Sequence, residues 1–257
     1  MNIFRNTFTI NMAGFYIKIK SISPRTCILC MNYLCDEDVI PDIQVEITED
    51  DILLECSGKI GNSSKLISAE NFAVYRKIVE SLLDYSFLLM HGAVVAVGNS
   101  AYMFSAPSGT GKTTHIRKWL HNIEDSIVVN GDKPLIKIEE KEIIACGTPW
   151  SGYEHMNTNV MVPLKAIAFL ERSENNDMQE LSFSQAYPYL IQQTHIPSDP
   201  QKARKTLELL SQLCGKLKFY KFRCNNFKND CFEVAYNTLV GGGGAEADPR
   251  LLMSSDN

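Results

Sequence analysis

Residues 105–115 read SAPSGTGKTTH, a run in which two glycines, a lysine and several hydroxyl side chains stand close together. Phosphate-binding loops have a glycine, then four residues of any type, then the sequence Gly-Lys-Ser/Thr. Here Ala106 takes the position of the first glycine, and the stretch from Gly111 to Thr113 supplies the rest. Glycines let successive backbone N–H groups turn toward an anion, and the following helix adds the positive end of its dipole. We predict that this loop binds the phosphates of a nucleotide.

The side chains of the loop suit a triphosphate and its magnesium ion. In such loops the lysine, here Lys112, contacts the β- and γ-phosphates, and a hydroxyl, here that of Thr113, ligates Mg²⁺. The predicted cofactor-binding residues are Ser108, Gly109, Thr110, Gly111, Lys112, Thr113 and Thr114. A chance glycine turn before a helix is the alternative. The lysine, the hydroxyl and the apolar strand before the loop together argue against it.

A carboxylate follows at the end of the next apolar run, SIVVNGD, where Asp132 stands. Acids at strand ends of phosphate-loop enzymes hold magnesium directly or through water, and in a kinase such an acid can also accept the hydroxyl proton. The surrounding NGDKP is rich in turn formers, so a turn residue is the alternative. The loop upstream favours the catalytic and metal-binding interpretation of Asp132.

His91 is placed by the register of a predicted hairpin. If residues 98–100 form its loop, Ala93 faces Ser105, and the ladder continues to His91 opposite Pro107. A histidine at the mouth of the phosphate loop can assist proton transfer or contact a phosphate. A hydrogen-bonded core histidine is an equally open interpretation.

The segment GTPWSGYEHMNTN is the predicted acceptor-binding loop. Glycine and proline shape a turn, and the indole of Trp150 offers a rigid apolar surface. The candidate substrate-binding residues are Trp150, Ser151, Gly152, Glu154 and Asn157, with His155 beside them. A structural turn with Trp150 packed inward is equally open. Lys133, Lys165 and Arg172 lie near predicted strand ends, where a cation could stabilise a transferring phosphoryl group, although solvated surface residues are commoner.

An α/β fold must position these residues. Short extended segments such as FYIKIKSI and IQVEITEDDILLEC dominate up to about residue 60, and an amphipathic helix over 68–86 turns Phe72 and its apolar partners toward the core. After the hairpin we predict a helix from about Lys112, three strands, a buried strand in LKAIAFLER, helices over 184–194 and 201–214, and a strand in LKFYKFRC.

This pattern predicts three parts: a small β-rich lobe with a connecting helix (1–85), a mixed-sheet nucleotide domain (86–240), and a flexible tail (241–257). The tail contains four consecutive glycines followed by AEADPRLLMSSDN, a pattern typical of an engineered linker with an appended substrate peptide. Ser254 and Ser255 are then candidate phosphoacceptors. A disordered natural terminus is the alternative.

Composition narrows the class of protein. The net charge of −5 over 257 residues argues against a nucleic-acid partner, and no apolar run reaches the roughly 20 residues that span a bilayer. The first residues, MNIFRNTFTI, lack the features of a secretory signal, so we expect a cytoplasmic protein without a membrane partner. One C-x-x-C, at Cys27 and Cys30, has no second pair, so the eight cysteines are expected to be small buried residues.

The segments HGAVVAV, SAPSGTGKTTH, VVNGDKP, GTPWSG and NVMVPLKAIAFLER, from about Met90 to Arg172, resemble the kinases related to HPr kinase/phosphorylase. These share a nucleotide core with phosphoenolpyruvate carboxykinase. The resemblance is nearest to the HPr-kinase-like enzymes of lasso-type and other ribosomal peptide natural-product clusters, which phosphorylate a serine near the end of a precursor peptide. It implies a mixed-sheet kinase core and phosphoryl transfer from ATP, with Lys112, Asp132 and His91 at the catalytic centre and Asp132 on the magnesium.

The chain departs from that family in one position, because HPr kinase has two adjacent acids where this sequence has Gly131 and Asp132. A single carboxylate must then serve both metal and proton, or His91 takes one task. The sequence also has no counterpart of the C-terminal loop with which HPr kinase binds its protein substrate. The leading hypothesis is a peptide-serine kinase. A kinase for free serine or an HPr-like protein, and a non-catalytic nucleotide-gated binding protein, stay open, as do a homo-oligomer and the preferred nucleotide base.

Overall fold

The computed structural model describes residues 5–36, 38–56, 63–225, 228 and 230–241. The candidate acceptors Ser254 and Ser255 lie outside the described residues. The strands are β1 (Thr7–Met12), β2 (Phe15–Lys20), β3 (Ile43–Glu46), β4 (Phe87–Leu89), β5 (Ala93–Val97), β6 (Ser100–Ser105), β7 (Ile127–Asn130), β8 (Leu135–Ile138), β9 (Ile143–Cys146), β10 (Met161–Arg172), β11 (Asp177–Leu181) and β12 (Lys218–Cys224). The helices are α1 (Arg25–Leu29), α2 (Glu49–Glu55), α3 (Ser63–Leu82), α4 (Lys112–Asn122), α5 (Phe183–Gln193), α6 (Pro200–Ser211) and α7 (Asp230–Leu239).

The first strands form a separate three-stranded sheet in the order β1-β2-β3. Strand β2 alternates buried and exposed side chains, as expected for a strand with one solvated face. The prediction that IQVEITEDDILLEC is extended throughout is wrong in its second half, which forms α2. Thr48 caps that helix, since its hydroxyl accepts from the Asp51 N–H while the Asp51 carboxylate accepts from the Thr48 N–H.

Helix α3 joins this sheet to the rest of the molecule and begins and ends earlier than the predicted span of 68–86. A short 3-10 turn follows it over Leu83–Tyr85, and Ser86 ends that turn with a left-handed φ of 64°. The helix buries Val74, Ile78 and Leu82. Phe72, which was expected on the core face, is instead 47% exposed.

The large sheet has nine strands in the order β4-β8-β9-β10-β6-β5-β7, with β12 on β10 and β11 on β12. It is mixed, because β10 runs parallel to β6 and β12 but antiparallel to β9. Alternate residues of β6 and β10 enter different cores. One core contains side chains of α5 and α6, and the other contains side chains of α4 and α7. The sheet therefore has helices on both faces, an α/β architecture. Strand β11 and helix α7 were not predicted.

The register of the β5–β6 hairpin differs from the predicted one by a single residue. Ser100 already pairs with Val97, so the connection is the two-residue turn Gly98-Asn99, and Ala93 faces Phe104. Gly98 has a φ of 54°, a left-handed conformation that suits short hairpin turns. A slip of one residue exchanges the two faces of a strand, so the predicted pairing of His91 with Pro107 is wrong.

Among the described residues, none of the helices has the length and apolar character needed to cross a bilayer.

Candidate active site

The glycine loop, defined here as residues 106–111, connects β6 to α4. Gly109 and Gly111 have φ angles of 78° and 118°, which glycine adopts without the steric cost that a Cβ imposes. Gly111 is the N-cap of α4, and among the described residues no side chain caps that helix. The first turn of α4 therefore presents backbone N–H groups that no described side chain caps.

Lys112 folds back onto this loop. Its Nζ donates to the carbonyl oxygens of Ala106 at 2.8 Å and Pro107 at 3.3 Å, and the residue is only 7% exposed. Burial lowers the pKa of Lys112, while the nearby carboxylate of Asp132 acts in the opposite direction. The lysine thus stabilises the loop through hydrogen bonds at Ala106, the position at which the motif usually has its first glycine.

Asp132 faces the same space from the end of β7. Its Oδ1 lies 3.2 Å from Nε2 of His91, and its Oδ2 accepts from Nζ of Lys133. Burial alone would raise the pKa of Asp132, but the hydrogen bonds from His91 and Lys133 and the positive charge of Lys133 lower it to about 2. The structure therefore brings the predicted Asp132 and His91 together as a hydrogen-bonded pair.

Asn130, which the sequence analysis missed, shapes the turn that carries Asp132. It is fully buried, and its Oδ1 accepts from the backbone N–H groups of Asp132 at 2.9 Å and Lys133 at 2.7 Å. Its Nδ2 donates to the carbonyl oxygen of Thr148 at 3.0 Å. Asparagine is a frequent turn former because its side chain bonds to backbone two residues on, so the run NGD contained this signal.

Gly131 precedes Asp132, and a side chain at this position would crowd the facing loop. A Cβ at this position would lie 3.1 Å from the carbonyl oxygen of Ser151 and 3.3 Å from that of Met156. A second acidic side chain beside Asp132 has no room unless the backbone of the facing loop moves.

His91 is held from its other side by the end of α5. Its Nδ1 lies 3.0 Å from Oε1 of Gln193, and its backbone N–H donates to the Gln193 carbonyl oxygen at 2.7 Å. Ser105 donates its hydroxyl to the His91 carbonyl oxygen at 2.7 Å, which keeps the histidine at the mouth of the glycine loop. Gln193 had no sequence signal, because it lies 102 residues from its partner.

These groups line a cleft of about 910 Å³. Its lining includes the loop residues Ser108, Gly109 and Gly111, together with Lys112, His91 and Asp132. The lining also includes residues of the N-terminal segment that the sequence analysis did not assign to a site, namely Leu29, Ser68, Asn71 and Phe72. The ring centroid of Phe72 lies 5.6 Å from Nζ of Lys133, so this exposed aromatic side chain stands beside a cation of the cleft.

The candidate acceptor-binding residues line the same cleft, except for Asn157, which is not among its lining residues. Trp150 is packed inward, stacked on Tyr75 with ring centroids 4.3 Å apart and planes 4° apart. Its Nε1 donates to the Asn71 carbonyl oxygen at 2.8 Å. The indole is therefore packed inward, which is the alternative that the sequence analysis left open for Trp150. The residue nevertheless lines part of the cleft.

The other acceptor candidates differ in their surroundings. Asn157 is engaged in structure, since it donates to the hydroxyl of Ser151 at 2.7 Å and accepts from Tyr33 at 3.1 Å. Gly152, with a φ of 78°, packs its Cα side against Asp132, because a Cβ there would lie 3.2 Å from the Asp132 Cβ. Glu154 is exposed and forms an ion pair with Arg117.

The three basic candidates lie in different places. Lys133 bonds to Asp132 inside the cleft. Arg172 donates to the carbonyl oxygens of Gly109 and Thr110, so it contacts the glycine loop from outside. Lys165 is an exposed residue of β10 and is not a lining residue of the cleft.

A second group of buried side chains lies under α4. His115, Cys224 and Cys231 bring potential metal-ligand atoms within 4.8 Å of one another. Trp119 donates its indole N–H to Nε2 of His115 at 3.0 Å, so the proton of a neutral imidazole is on Nδ1. A metal-bound histidine normally donates from its second nitrogen, and the arrangement does not fit a metal site. Five of the eight cysteines are buried as expected, including Cys27 and Cys30, but Cys35 and Cys56 are half-buried and Cys214 is exposed. Burial raises the pKa of Cys30.

No protein-family model matches the chain, and no curated protein matches it. Among solved structures, the Hpr(Ser) kinase/phosphatase from Coxiella burnetii matches with a TM-score of 0.38 and 9% sequence identity. The match covers 61% of this chain and 99% of the other. A likeness of this size carries no conclusion about the activity of this chain.

Proposed function

We propose that this chain is a kinase that transfers the γ-phosphate of ATP, with Mg²⁺, to a serine hydroxyl. The observation that carries the proposal is the meeting of three groups in one cleft: the glycine loop, the cation of Lys112, and the Asp132–His91 pair at 3.2 Å. The loop suits phosphates and the carboxylate suits a metal or a hydroxyl proton. Phosphoryl transfer needs both within reach of one ligand.

The residues present fit the two cofactors. The Thr113 hydroxyl and the Asp132 carboxylate are hard oxygen ligands of the kind that Mg²⁺ prefers, and both border the cleft. Lys112 and the N–H groups of the first turn of α4 would hold the triphosphate. When bound, the metal ion supplies positive charge that the transferring phosphoryl group requires.

In this mechanism four side chains of the cleft have distinct roles. Lys112 exchanges the carbonyl oxygens of Ala106 and Pro107 for phosphate oxygens. Asp132 orients the acceptor hydroxyl and takes its proton, and His91 orients Asp132. Lys133 compensates the negative charge that gathers around Asp132. Because phosphoryl transfer passes through a loose transition state, positioning and charge stabilisation carry most of the catalysis.

The proposed acceptor is a peptide serine, and the tail peptide AEADPRLLMSSDN is the candidate in hand. Fourteen peptide steps separate Val240 from Ser254, a span of at most about 50 Å when extended. A tethered acceptor has an effective concentration on the order of millimolar, which suits a weakly bound peptide. Transfer within one chain and transfer between two chains are both compatible with that reach.

The test is phosphate transfer from labelled ATP to the chain and to the free peptide AEADPRLLMSSDN, with the acceptor located by mass spectrometry. We expect label on Ser254 or Ser255, and at least about a hundredfold slower transfer by Asp132→Asn, as for loss of a general base. The matched control is Asp125→Asn, an exposed acid outside the cleft whose left-handed φ of 52° suits asparagine.

Three outcomes would separate the alternatives. Undiminished transfer by Asp132→Asn rejects the mechanism. Transfer to free serine or to an HPr-like protein in preference to the peptide changes the acceptor and keeps the kinase. ATP-dependent peptide binding without any transfer identifies a nucleotide-gated binding protein.

A further inference from the structure

A second cavity, of about 300 Å³, lies against the same glycine loop. Its lining includes Ala106, Pro107 and Thr110 from the loop, Phe169 from β10, and Tyr189 and Gln192 from α5. The sequence analysis named Thr110 and Arg172 of this lining only as candidate phosphate-side residues, and it left the nucleoside part of the nucleotide unplaced.

We propose that this small cavity binds the base and ribose of the nucleoside triphosphate whose phosphates the glycine loop holds. The inference rests on the proposed function, because it takes the loop to be a phosphate site. It adds a second binding site and the chemical class of its ligand, a ribonucleoside.

The two cavities border different residues of the same glycine loop. Ala106, Pro107 and Thr110 border the small cavity, while Ser108 and Gly109 border the large cleft. A ligand that lies over residues 106–111 therefore reaches both spaces.

The sheet order determines which end of the ligand enters which space. Strand β6, which leads into the loop, has β5 and β7 on one side and β10 and β12 on the other. Asp132 follows β7, so the terminal phosphate must point to that side to reach it. Phe169 and Arg172 belong to β10 and Lys221 to β12, so the small cavity lies on the opposite side, where the rest of the nucleotide would extend.

The apolar part of the cavity suits a base. The ring of Tyr189 stacks on Phe169 with centroids 4.9 Å apart and planes 23° apart, and Tyr189 remains 38% exposed. An aromatic ring that is fixed on one face and partly open can stack a planar base on the other. A volume of about 300 Å³ is at the lower end for small-molecule sites, as expected for a nucleoside without its phosphates.

The charged residues of the cavity favour a neutral group over a further phosphate. Glu171 pairs with Lys221 at 2.7 Å, so these two charges compensate each other. Arg172 already donates to the carbonyl oxygens of Gly109 and Thr110. The Glu171 carboxylate and the Gln192 amide are hydrogen-bonding groups suited to ribose hydroxyls and base edges.

The test compares the dissociation constants of ATP and of inorganic tripolyphosphate, measured by calorimetry on the full chain. We expect Tyr189→Ala to weaken ATP about tenfold, the lower end of base–aromatic stacking, and to leave tripolyphosphate unchanged. Tyr189→Phe keeps the ring and should bind ATP as the wild type does. The matched control is Tyr16→Ala, since Tyr16 is also 38% exposed but lies in β2.

Each outcome bears on a different claim. If the wild type does not bind tripolyphosphate, the loop is not a phosphate site and the proposed function fails with it. If tripolyphosphate binds but Tyr189→Ala weakens neither ligand, or both equally, the small cavity is not the nucleoside site. Should Tyr189→Ala fail to fold, photolabelling of the wild type with an azido-adenine ATP decides. Label on residues 169–193 supports the inference, and label on 149–156 overturns it.

Discussion

Asp132 is ionised under all ordinary conditions, and this limits what it can do. Burial would raise its pKa, but His91 and Lys133 lower it from 3.8 to about 2. A carboxylate with so low a pKa is a weak proton acceptor in the resting site. It suits a reaction in which the hydroxyl is oriented first and loses its proton late, as in loose phosphoryl transfer. If the transfer rate falls as the pH drops through the neutral range, the group that becomes protonated must therefore be one other than Asp132.

The lowered pKa also predicts how stability depends on pH. A depressed carboxyl pKa stabilises the fold above the unfolded value of 3.8, and this contribution is lost as the pH falls toward about 2. We expect the wild type to exceed Asp132→Asn by about 2 kcal/mol in free energy of unfolding near neutral pH, and the gap to close by about pH 2. Urea unfolding across that range measures it. Parallel curves for the two proteins would contradict the charge interactions described for Asp132.

Gln193 is a positioning residue for His91, and its role can be separated from simple folding. We expect Gln193→Leu, which removes the hydrogen-bond partner of Nδ1, to lower kcat at saturating ATP about tenfold, because the imidazole loses its orientation. Since Gln193 also lines the small cavity, kcat and not the KM for ATP is the diagnostic quantity. Gln193→Glu keeps an oxygen beside Nδ1 and should retain more of the rate than Gln193→Leu. Equal losses in both variants, or a change confined to KM, would show that Gln193 does not act through His91.

At the scale of elements, the turn that begins at Asn130 holds the backbone of Asp132 in place after strand β7. Asn130→Ala would leave the N–H groups of Asp132 and Lys133 without their acceptor in a buried setting. We expect a loss of about 3 kcal/mol in the free energy of unfolding, together with reduced transfer activity. Chemical denaturation measures it. The matched variant Asn130→Ser keeps a short side-chain acceptor for these N–H groups, and a loss no smaller than that of alanine would contradict this account.

Sequence reasoning succeeded where the informative residues lie next to one another in a single segment. The loop and the start of α4 could be predicted because the glycines, Lys112 and Thr113 are contiguous. The hairpin register was predicted wrongly, since a turn of two or three residues was equally compatible with Gly98-Asn99-Ser100. The N-terminal part of the cleft lining could not be predicted, because Leu29 and Phe72 come from distant segments and only tertiary packing brings them to the site.

Phe72 shows why an apolar pattern alone misleads. In a helix such as α3 a phenylalanine near the buried stripe is expected in the core, yet it stands 47% exposed on the cleft. If the ring contacts the acceptor, Phe72→Ala should raise the KM for the tail peptide about tenfold without changing the KM for ATP. Leu54→Ala, an exposed apolar residue of α2, is the control. An unchanged peptide KM would remove Phe72 from the acceptor site.

Across the whole molecule, the N-terminal segment and the large sheet share one hydrophobic core. The cluster that contains Tyr75 also contains Leu135, Cys146 and Trp150. Tyr75 donates its hydroxyl to the Lys133 carbonyl oxygen at 2.6 Å, so α3 supports the turn that presents Asp132. Loss of the first segment would remove a cleft wall and a support of the catalytic turn together.

The crowding at Gly131 has a consequence for how this site could change over generations. A single codon change that introduces a second acid there would force the backbone of residues 151–156 outward, because a Cβ would already approach two carbonyl oxygens. A second acid at position 131 therefore requires the facing carbonyl groups of Ser151 and Met156 to shift by a few tenths of an ångström. Laboratory selection for a two-acid centre should yield paired mutations, one at 131 and one in the facing loop.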